Sequence, residues 1–215
     1  FKIINSNNLL SQIKKYDLVI NTDHLNQINN KFFNKKISKE YDGLAYTTII
    51  KHKKILNDTA VQIFTKYGPL AFLPISNTAT SIVYSLQNIK NLKKIEISKL
   101  IRKYNFKYEI NKMEEIESFK LKFLLLRSYY HKNILAFGDL IHRIHPLAGQ
   151  GFNMTIRDIK IFLNLIQNRA NLGLPIDSSI NHEFENQTKH TNFIFANGID
   201  LIHEFFNLER KNKNN

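Results

Sequence analysis

The stretch "FGDLIHRIHPLAGQGFNMTIRD", residues 137–158, decides how this sequence is interpreted. The whole chain has seven glycines and four prolines, and three of those glycines and one proline lie between Gly138 and Gly151. The apolar segment "NILAFGD" (133–139) comes before the loop, and a segment with helical spacing follows it. This order predicts a strand, a glycine-rich loop and the amino terminus of a helix.

Such a loop has a definite chemistry. The first N–H groups of a helix lack intrahelical acceptors and carry the positive end of the helix dipole, so they favour an anion or an electron-rich carbonyl. Asp139, at the carboxyl end of the predicted strand, is placed to accept hydrogen bonds from ligand hydroxyls. A glycine turn that Asp139 merely caps is the alternative. Gly149 and Gly151 have a G-x-G spacing, but Met154 at the third position departs from the dinucleotide fingerprint.

The composition indicates a folded and strongly basic chain of 215 residues, 43% hydrophobic, with a net charge of +13. No apolar run approaches the roughly 18 residues that a membrane-spanning helix needs, and we expect a cytoplasmic protein without a signal peptide. The absence of cysteine excludes disulfides and thiolate metal sites and fits a reducing compartment. Lysine is scattered among abundant Asn and Ile, as codon bias would produce, and no nucleic-acid-binding motif is present. We therefore expect no nucleic-acid partner, and a basic nucleic-acid-binding protein stays open as an alternative that rests on charge alone.

The predicted elements describe a mixed α/β (α+β) chain. Segments rich in β-branched and aromatic residues predict a short buried strand in 16–23, a meander of antiparallel strands over 43–54, 60–67, 69–76 and 80–87, and two strands within 118–139. Helical spacing predicts helices over 91–105, over 151–168 and over 179–210. The middle one carries its apolar face on Ile156, Ile159, Phe162, Leu163 and Ile166. The last helix is amphipathic, and its Phe193, Phe195, Ile199, Ile202, Phe205 and Phe206 face either the core or a membrane or partner.

Residues 137–158 resemble the second flavin motif of the class A FAD-dependent aromatic hydroxylases. They are most similar to the branch that hydroxylates ubiquinone precursors, which typically reads G-D-A-A-H-x-x-H-P-L-A-G-Q-G-x-N-x-G-x-x-D. The matching positions here are Gly138, Asp139, His142, His145, Pro146, Leu147, Ala148, Gly149, Gln150, Gly151, Asn153 and Asp158. Segments 64–86 and 16–23 are similar to further parts of that family, so the resemblance covers nearly all of the chain.

The resemblance implies a partial FAD-binding hydroxylase fold with an antiparallel substrate-domain sheet and C-terminal helices. Its expected parts are 1–30, a strand region of the FAD-binding domain; 31–125, the sheet-rich substrate domain; 126–170, the second FAD-binding segment; and 171–215, the C-terminal helices. The cofactor-binding residues it implies are Gly138, Asp139, Pro146, Leu147, Ala148, Gly149, Gln150, Gly151, Phe152 and Asn153. Asp139 would bind the ribityl chain, and backbone N–H groups around 149–153 would face the flavin pyrimidine.

The activity implied by the resemblance is hydroxylation of the aromatic ring of a ubiquinone precursor by a monooxygenase that uses FAD, NAD(P)H and O2. The substrate would be a lipid-tailed aromatic small molecule. The chain would then act in the cytoplasm, peripherally at the inner membrane or within a biosynthetic complex. No side chain is singled out as catalytic.

Several departures from the family pattern keep a second hypothesis open. The family's first glycine motif is absent, and after Asp23 the chain has His24 where the family has Gly. Leu140 and Ile141 replace two alanines, and we expect them to crowd the cofactor. The alternative is a decayed remnant that keeps the fold and binds a partner without catalysis.

A metal site in the same segment is a further hypothesis. His142 and His145 have an i, i+3 spacing and follow Asp139, but the sequence offers no confident further ligand. We therefore expect no metal, with His145 shaping the loop before Pro146.

Overall fold

The computed structural model describes residues 3, 9–87, 93–145 and 150–213, with side chains omitted at 87, 203 and 206–213. The fold is mixed α/β, with an antiparallel sheet and C-terminal helices, as the sequence predicts. The strands are β1 Val19–Asn21, β2 Lys36–His52, β3 Val61–Thr65, β4 Gly68–Ser76, β5 Ala79–Gln87, β6 Ile110–Met113, β7 Glu117–Leu126, β8 Tyr130–His131, β9 Ile134–Ala136 and β10 His142–Arg143. The α-helices are α1 Leu9–Gln12, α2 Gln27–Phe32, α3 Lys94–Tyr104, α4 Gln150–Asn171 and α5 Ser179–Lys213.

The chain divides into two compact units. The first contains the described residues of 1–39, 122–145 and 149–215, and the second contains those of 40–121. The long strands β2 and β7 therefore belong partly to each unit.

The second unit is an antiparallel sheet in the order β2-β5-β4-β3, with β6 also paired to β2. The predicted meander is right for β3, β4 and β5, but wrong for β2, which pairs with β5 rather than with β3. Because side chains alternate between the faces of a strand, Ile82, Tyr84 and Leu86 share one face of β5. They are fully buried in one core cluster with Ile97 and Ile101 of α3.

The first unit has its own core, built from β9, α4 and α5. Phe137, Phe162 and Phe184 pack together in it, with ring centroids 5.3 to 5.7 Å apart. The segment 118–139 contains β7, β8 and β9, one strand more than predicted. The extra strand arises because Lys132 adopts a left-handed φ of 53° and closes a short β8–β9 hairpin.

The apolar face of α4 is rotated from the predicted one. Ile156, Ile159 and Leu163 are 38% to 56% exposed. The buried face consists of Met154, Asp158, Phe162 and Leu165. Phe162 belongs to both sets and Ile166 packs partly buried against the core, so the prediction is right for these two, whereas packing leaves Ile156, Ile159 and Leu163 exposed.

The last helix packs into the core near its start, whereas three of the predicted apolar residues further along are exposed. Ile180 and Phe184 are fully buried, as a core-facing helix requires. Phe193, Ile202 and Phe205 are 45% to 64% exposed, which overturns the core-facing interpretation for these three. Within the described residues, no helix combines the length and the apolar character that crossing a bilayer requires.

Candidate functional site

The candidate site lies at one edge of the small sheet of the first unit. β1 and β9 pair in parallel, from Val19 with Ile134 to Asn21 with Ala136. The pairing continues one residue beyond β9, because the Phe137 N–H donates to the Asn21 carbonyl at 2.9 Å. The carboxyl ends of both strands therefore meet at the same edge, which is where open parallel sheets bind ligands.

Gly138 makes the turn that follows β9. Its φ of +64° lies in the left-handed region, which a residue with a Cβ adopts only with strain. A Cβ at this position would be 3.9 Å from Thr155 Cγ2, so conformation rather than space requires glycine. In the single 3-10 turn that follows, Asp139 is exposed while Leu140 is buried. The turn thus presents the Asp139 carboxylate at the carboxyl edge of the sheet.

The amino terminus of α4 packs beside this turn. The helix begins at Gln150, and a Cβ on Gly151 would lie 3.7 Å from Ile144 Cγ1. Phe152 is 72% exposed, and Asn153 is also exposed. The first N–H groups of such a helix have no intrahelical acceptor and are available to a ligand. The structure therefore describes six of the predicted cofactor residues, Gly138, Asp139, Gln150, Gly151, Phe152 and Asn153; the other four, Pro146, Leu147, Ala148 and Gly149, lie outside the described residues.

A buried polar group stands at the base of the glycine-rich segment. The His142 Nε2 lies 2.9 Å from Asp158 Oδ2, and both side chains are fully buried. Asn192 of α5, also fully buried, donates through Nδ2 to the same oxygen at 3.1 Å. Arg157 in turn donates to the Asn192 Oδ1. Because His142 precedes the loop and Asp158 follows it, their contact joins the two ends of the segment 143–157.

Tyr129 extends this polar group. Burial raises the pKa of the Tyr129 phenol well above its ordinary value, although a hydrogen bond with Asn192 acts in the opposite direction. The Tyr129 backbone N–H donates to Glu185 Oε2 at 2.7 Å. Tyr129 is therefore a neutral, structural member of the group across the ordinary pH range.

The residues of the weak metal hypothesis do not form one site. His142 is buried and bound to Asp158, whereas Asp139 is exposed. In the ranges that the structure describes, no three His, Asp or Glu side chains are arranged to hold a metal ion.

The loop after β1 closes without the family's glycine. Asp23 Oδ1 accepts a hydrogen bond from the Leu25 N–H at 2.8 Å, and Asn29 Nδ2 donates to the His24 carbonyl at 2.8 Å. His24 has no left-handed φ; among described non-glycine residues only Lys132 does. Polar side chains therefore hold this loop in the place of glycine flexibility.

The two substitutions expected to crowd the cofactor are packed inside the first unit. Leu140 is 4% exposed and Ile141 is 0% exposed, and both belong to its hydrophobic core. Neither side chain shares the exposed surface on which Asp139 lies. Whether they crowd a bound cofactor stays a prediction.

Two structural partners at the site were missed by sequence reasoning. Asn26 donates through Nδ2 to Asn21 Oδ1 at 2.6 Å and caps α2 by accepting from the Asn29 N–H. Asn192 was missed because its partner Asp158 is 34 residues away. The sequence did contain one signal for such a partner. Asp158 lies at helical spacing between Met154 and Phe162, so an acidic residue interrupts an apolar stripe of the helix.

The sequence of the chain was compared with those of known proteins, and two relatives show what it is similar to. No family model matches the chain. The chain is 27% identical over 157 residues to 3-demethoxyubiquinol 3-hydroxylase of Escherichia coli, a match that covers 69% of this chain and 40% of the relative. It is 24% identical over 232 residues to the ubiquinone biosynthesis monooxygenase COQ6 of Drosophila melanogaster, covering 88% of this chain and 49% of the relative. The chain is homologous to the hydroxylases of ubiquinone biosynthesis.

This homology confirms the resemblance found in residues 137–158. The chain spans between 40% and 49% of the length of these two relatives. Among solved structures, the aromatic hydroxylase CabE from angucycline biosynthesis superposes with a TM-score of 0.62 at 12% identity, covering 88% of this chain and 40% of CabE. PqsL from Pseudomonas aeruginosa, described as a probable FAD-dependent monooxygenase, superposes with a TM-score of 0.65 at 13% identity, covering 86% of this chain and 54% of PqsL. The chain therefore has part of the fold of these two proteins.

Proposed function

We propose that this chain binds FAD at the carboxyl edge of β1 and β9 and acts in a monooxygenase that hydroxylates the aromatic ring of a ubiquinone precursor. The observation that carries the proposal is the placement of the Gly138–Asp139 turn beside the amino terminus of α4. One exposed acceptor, Asp139, and the first N–H groups of α4 are then near enough to serve one ligand. This donor and acceptor set suits a cofactor with a polyol chain and an electron-rich ring.

Each described residue has a specific part in that binding. The exposed carboxylate of Asp139 accepts hydrogen bonds from the hydroxyl groups of the ribityl chain. The N–H groups at the start of α4, from Gln150 to Asn153, donate to the ring carbonyl and stabilise negative charge there. Gly138 permits the left-handed turn that presents Asp139, and the exposed ring of Phe152 excludes water beside the cofactor. The segment 146–149 completes the cofactor-binding set predicted from the sequence.

The reaction divides between cofactor and protein. Bound flavin would supply the redox chemistry, accepting electrons from NAD(P)H and activating O2. The chain holds the ring in position, orients it through the backbone donors of α4 and limits its contact with water. The His142–Asp158 contact keeps the two ends of the loop segment together, which preserves these positions. The substrate is a lipid-tailed phenolic ring, and the protein works peripherally at a membrane or within a biosynthetic complex.

Flavin binding by the purified chain tests the first step. We expect FAD fluorescence to be quenched on binding, and Asp139→Ala to weaken binding by at least about tenfold, equal to about 1.4 kcal/mol. Asp17→Ala is the matched control, because Asp17 is exposed and precedes β1, at the opposite edge of the same strand pair. Unchanged affinity in Asp139→Ala would remove the proposed role of that carboxylate.

The catalytic step has a separate test. With FAD, NADPH and a phenolic ubiquinone precursor, we expect NADPH oxidation together with a product that is heavier by one oxygen atom. If FAD binds but no hydroxylated product forms, the proposed binding site is supported and the proposed catalytic activity is refuted. If the chain does not bind FAD at all, the proposal fails as a whole.

A further inference from the structure

A cavity of about 270 Å³ lies in the first unit, between the start of β2, the end of β7 and α5. Five apolar or aromatic side chains line it: Ile37, Leu125, Leu126, Tyr129 and Phe193. Ile37 is 40% exposed and Phe193 is 49% exposed, so the cavity opens to solvent at these two residues. Its volume is just below the roughly 300 to 1,000 Å³ of drug-sized ligand sites and suits a single ring or a short acyl chain.

Two basic side chains complete the lining. Arg127 is exposed, and in the described part of the chain no acidic side chain pairs with it. Lys189 is half-exposed and binds Glu185 Oε1 at 2.7 Å, but Glu185 is not part of the lining. The other oxygen of Glu185 already accepts from the Tyr129 N–H at 2.7 Å. The lining therefore combines an apolar interior with one basic residue, Arg127, with which no acidic side chain of the described residues pairs.

The walls are held in place by contacts outside the cavity. The Arg127 N–H donates to the Lys35 carbonyl at 2.9 Å, which ties the end of β7 to the residue before β2. Lys39 binds Asp200 at 3.3 Å and also pairs with Glu204, which ties the start of β2 to α5. A ligand would thus meet a formed cavity, and little of its binding free energy would be spent on ordering these walls.

We propose that this cavity binds a small amphipathic carboxylate. Its chain or ring lies against Leu125, Leu126 and Tyr129, and its carboxylate pairs with Arg127, with Lys189 as a second cation. A guanidinium matches a carboxylate with two parallel hydrogen bonds, and a neighbouring ammonium adds charge without a fixed geometry. The cavity shares no lining residue with the proposed cofactor-binding set.

Calorimetric titration of the full chain with decanoate, below its micellar concentration, tests the proposal. We expect saturable binding with one site per chain, and no binding of decyltrimethylammonium, which has the same chain length and the opposite charge. Replacing both cations, in Arg127→Gln/Lys189→Gln, should weaken decanoate binding by at least about tenfold. Lys160→Gln, an exposed lysine on α4 outside the lining, is the matched control and should leave binding unchanged.

A second variant addresses the apolar part of the site. Ile37→Trp adds bulk at a half-exposed position of the rim, so it should block the cavity without disturbing the core. It also keeps the test decisive if the double variant does not fold. Decanoate binding that persists in either folded variant, or equal binding of the cationic amphiphile, would overturn the proposal.

Vesicles distinguish a free carboxylate from the anionic surface of a membrane. We expect decanoate to bind in the absence of lipid, and to bind equally when phosphatidylcholine vesicles are present in low amount. If the chain instead sediments with phosphatidylglycerol vesicles and does not bind decanoate, the charged surface is a membrane contact and the cavity proposal is wrong.

Discussion

Asp158→Ala is the substitution from which the structure predicts the largest effect on stability. Asp158 is fully buried, and its Oδ2 serves two donors, His142 Nε2 at 2.9 Å and Asn192 Nδ2 at 3.1 Å. Alanine removes both acceptor oxygens and leaves these two polar groups buried among α4, α5 and β10.

The magnitude follows from counting those groups. Each buried donor left without an acceptor costs about 1 to 3 kcal/mol. The two donors that lose Asp158 therefore account together for about 2 to 6 kcal/mol. We expect Asp158→Ala to lower the free energy of unfolding by about 2 to 6 kcal/mol, a large share of the roughly 5 to 15 kcal/mol of an ordinary domain. Asp158→Asn keeps the shape and one oxygen, and should cost about 1 to 2 kcal/mol.

Urea denaturation followed by far-ultraviolet circular dichroism measures these changes. Lys160→Ala on the exposed face of the same helix is the control and should stay within about 0.5 kcal/mol of the parent. A double-mutant cycle of Asp158→Ala with His142→Ala should give a coupling energy of about 1 to 3 kcal/mol. A loss below about 1 kcal/mol in Asp158→Ala, or strictly additive effects in the cycle, would refute the reasoning.

Two further predictions concern backbone conformation and a buried phenol. Gly138→Ala should destabilise the chain by about 1 to 2 kcal/mol, because the φ angle of Gly138 is +64°. Gly198 lies in the middle of α5 with nothing within 4 Å of an added Cβ, so Gly198→Ala should stabilise the chain by about 0.5 to 1 kcal/mol. Thermal unfolding should therefore show a lower midpoint for the first variant and a higher midpoint for the second. Burial raises the pKa of Tyr84 to about 12, against about 10 in the unfolded chain, so the unfolded state loses its proton first and stability should fall between about pH 10 and pH 12. Tyr84→Phe should decline less across that window in denaturant titrations, and equal slopes in both proteins would contradict the assignment.

The sequence predicted the elements of the fold better than their arrangement. α3 and α4 were placed to within a few residues, because their apolar spacing and the flanking loops are local features. The pairing of β2 with β5 was missed, since neighbouring strands in sequence usually pair and nothing local says otherwise. The exposed face of α4 was also missed, because Ile156 and Leu163 have the same helical period as the buried Phe162.

For the candidate site, the sequence alone determined the loop: its glycines, Asp139 at the end of a strand, and the helix that follows Gln150. These features follow from the conformational freedom of glycine and from the unpaired N–H groups at a helix start, which are properties of short segments. Only the tertiary structure decided that β1 runs parallel to β9, so that the two loops meet at one edge, and that Asn192 reaches Asp158 across 34 residues. Such contacts depend on which faces of distant elements pack together, and that choice is made by the burial of the whole core, not by any one segment.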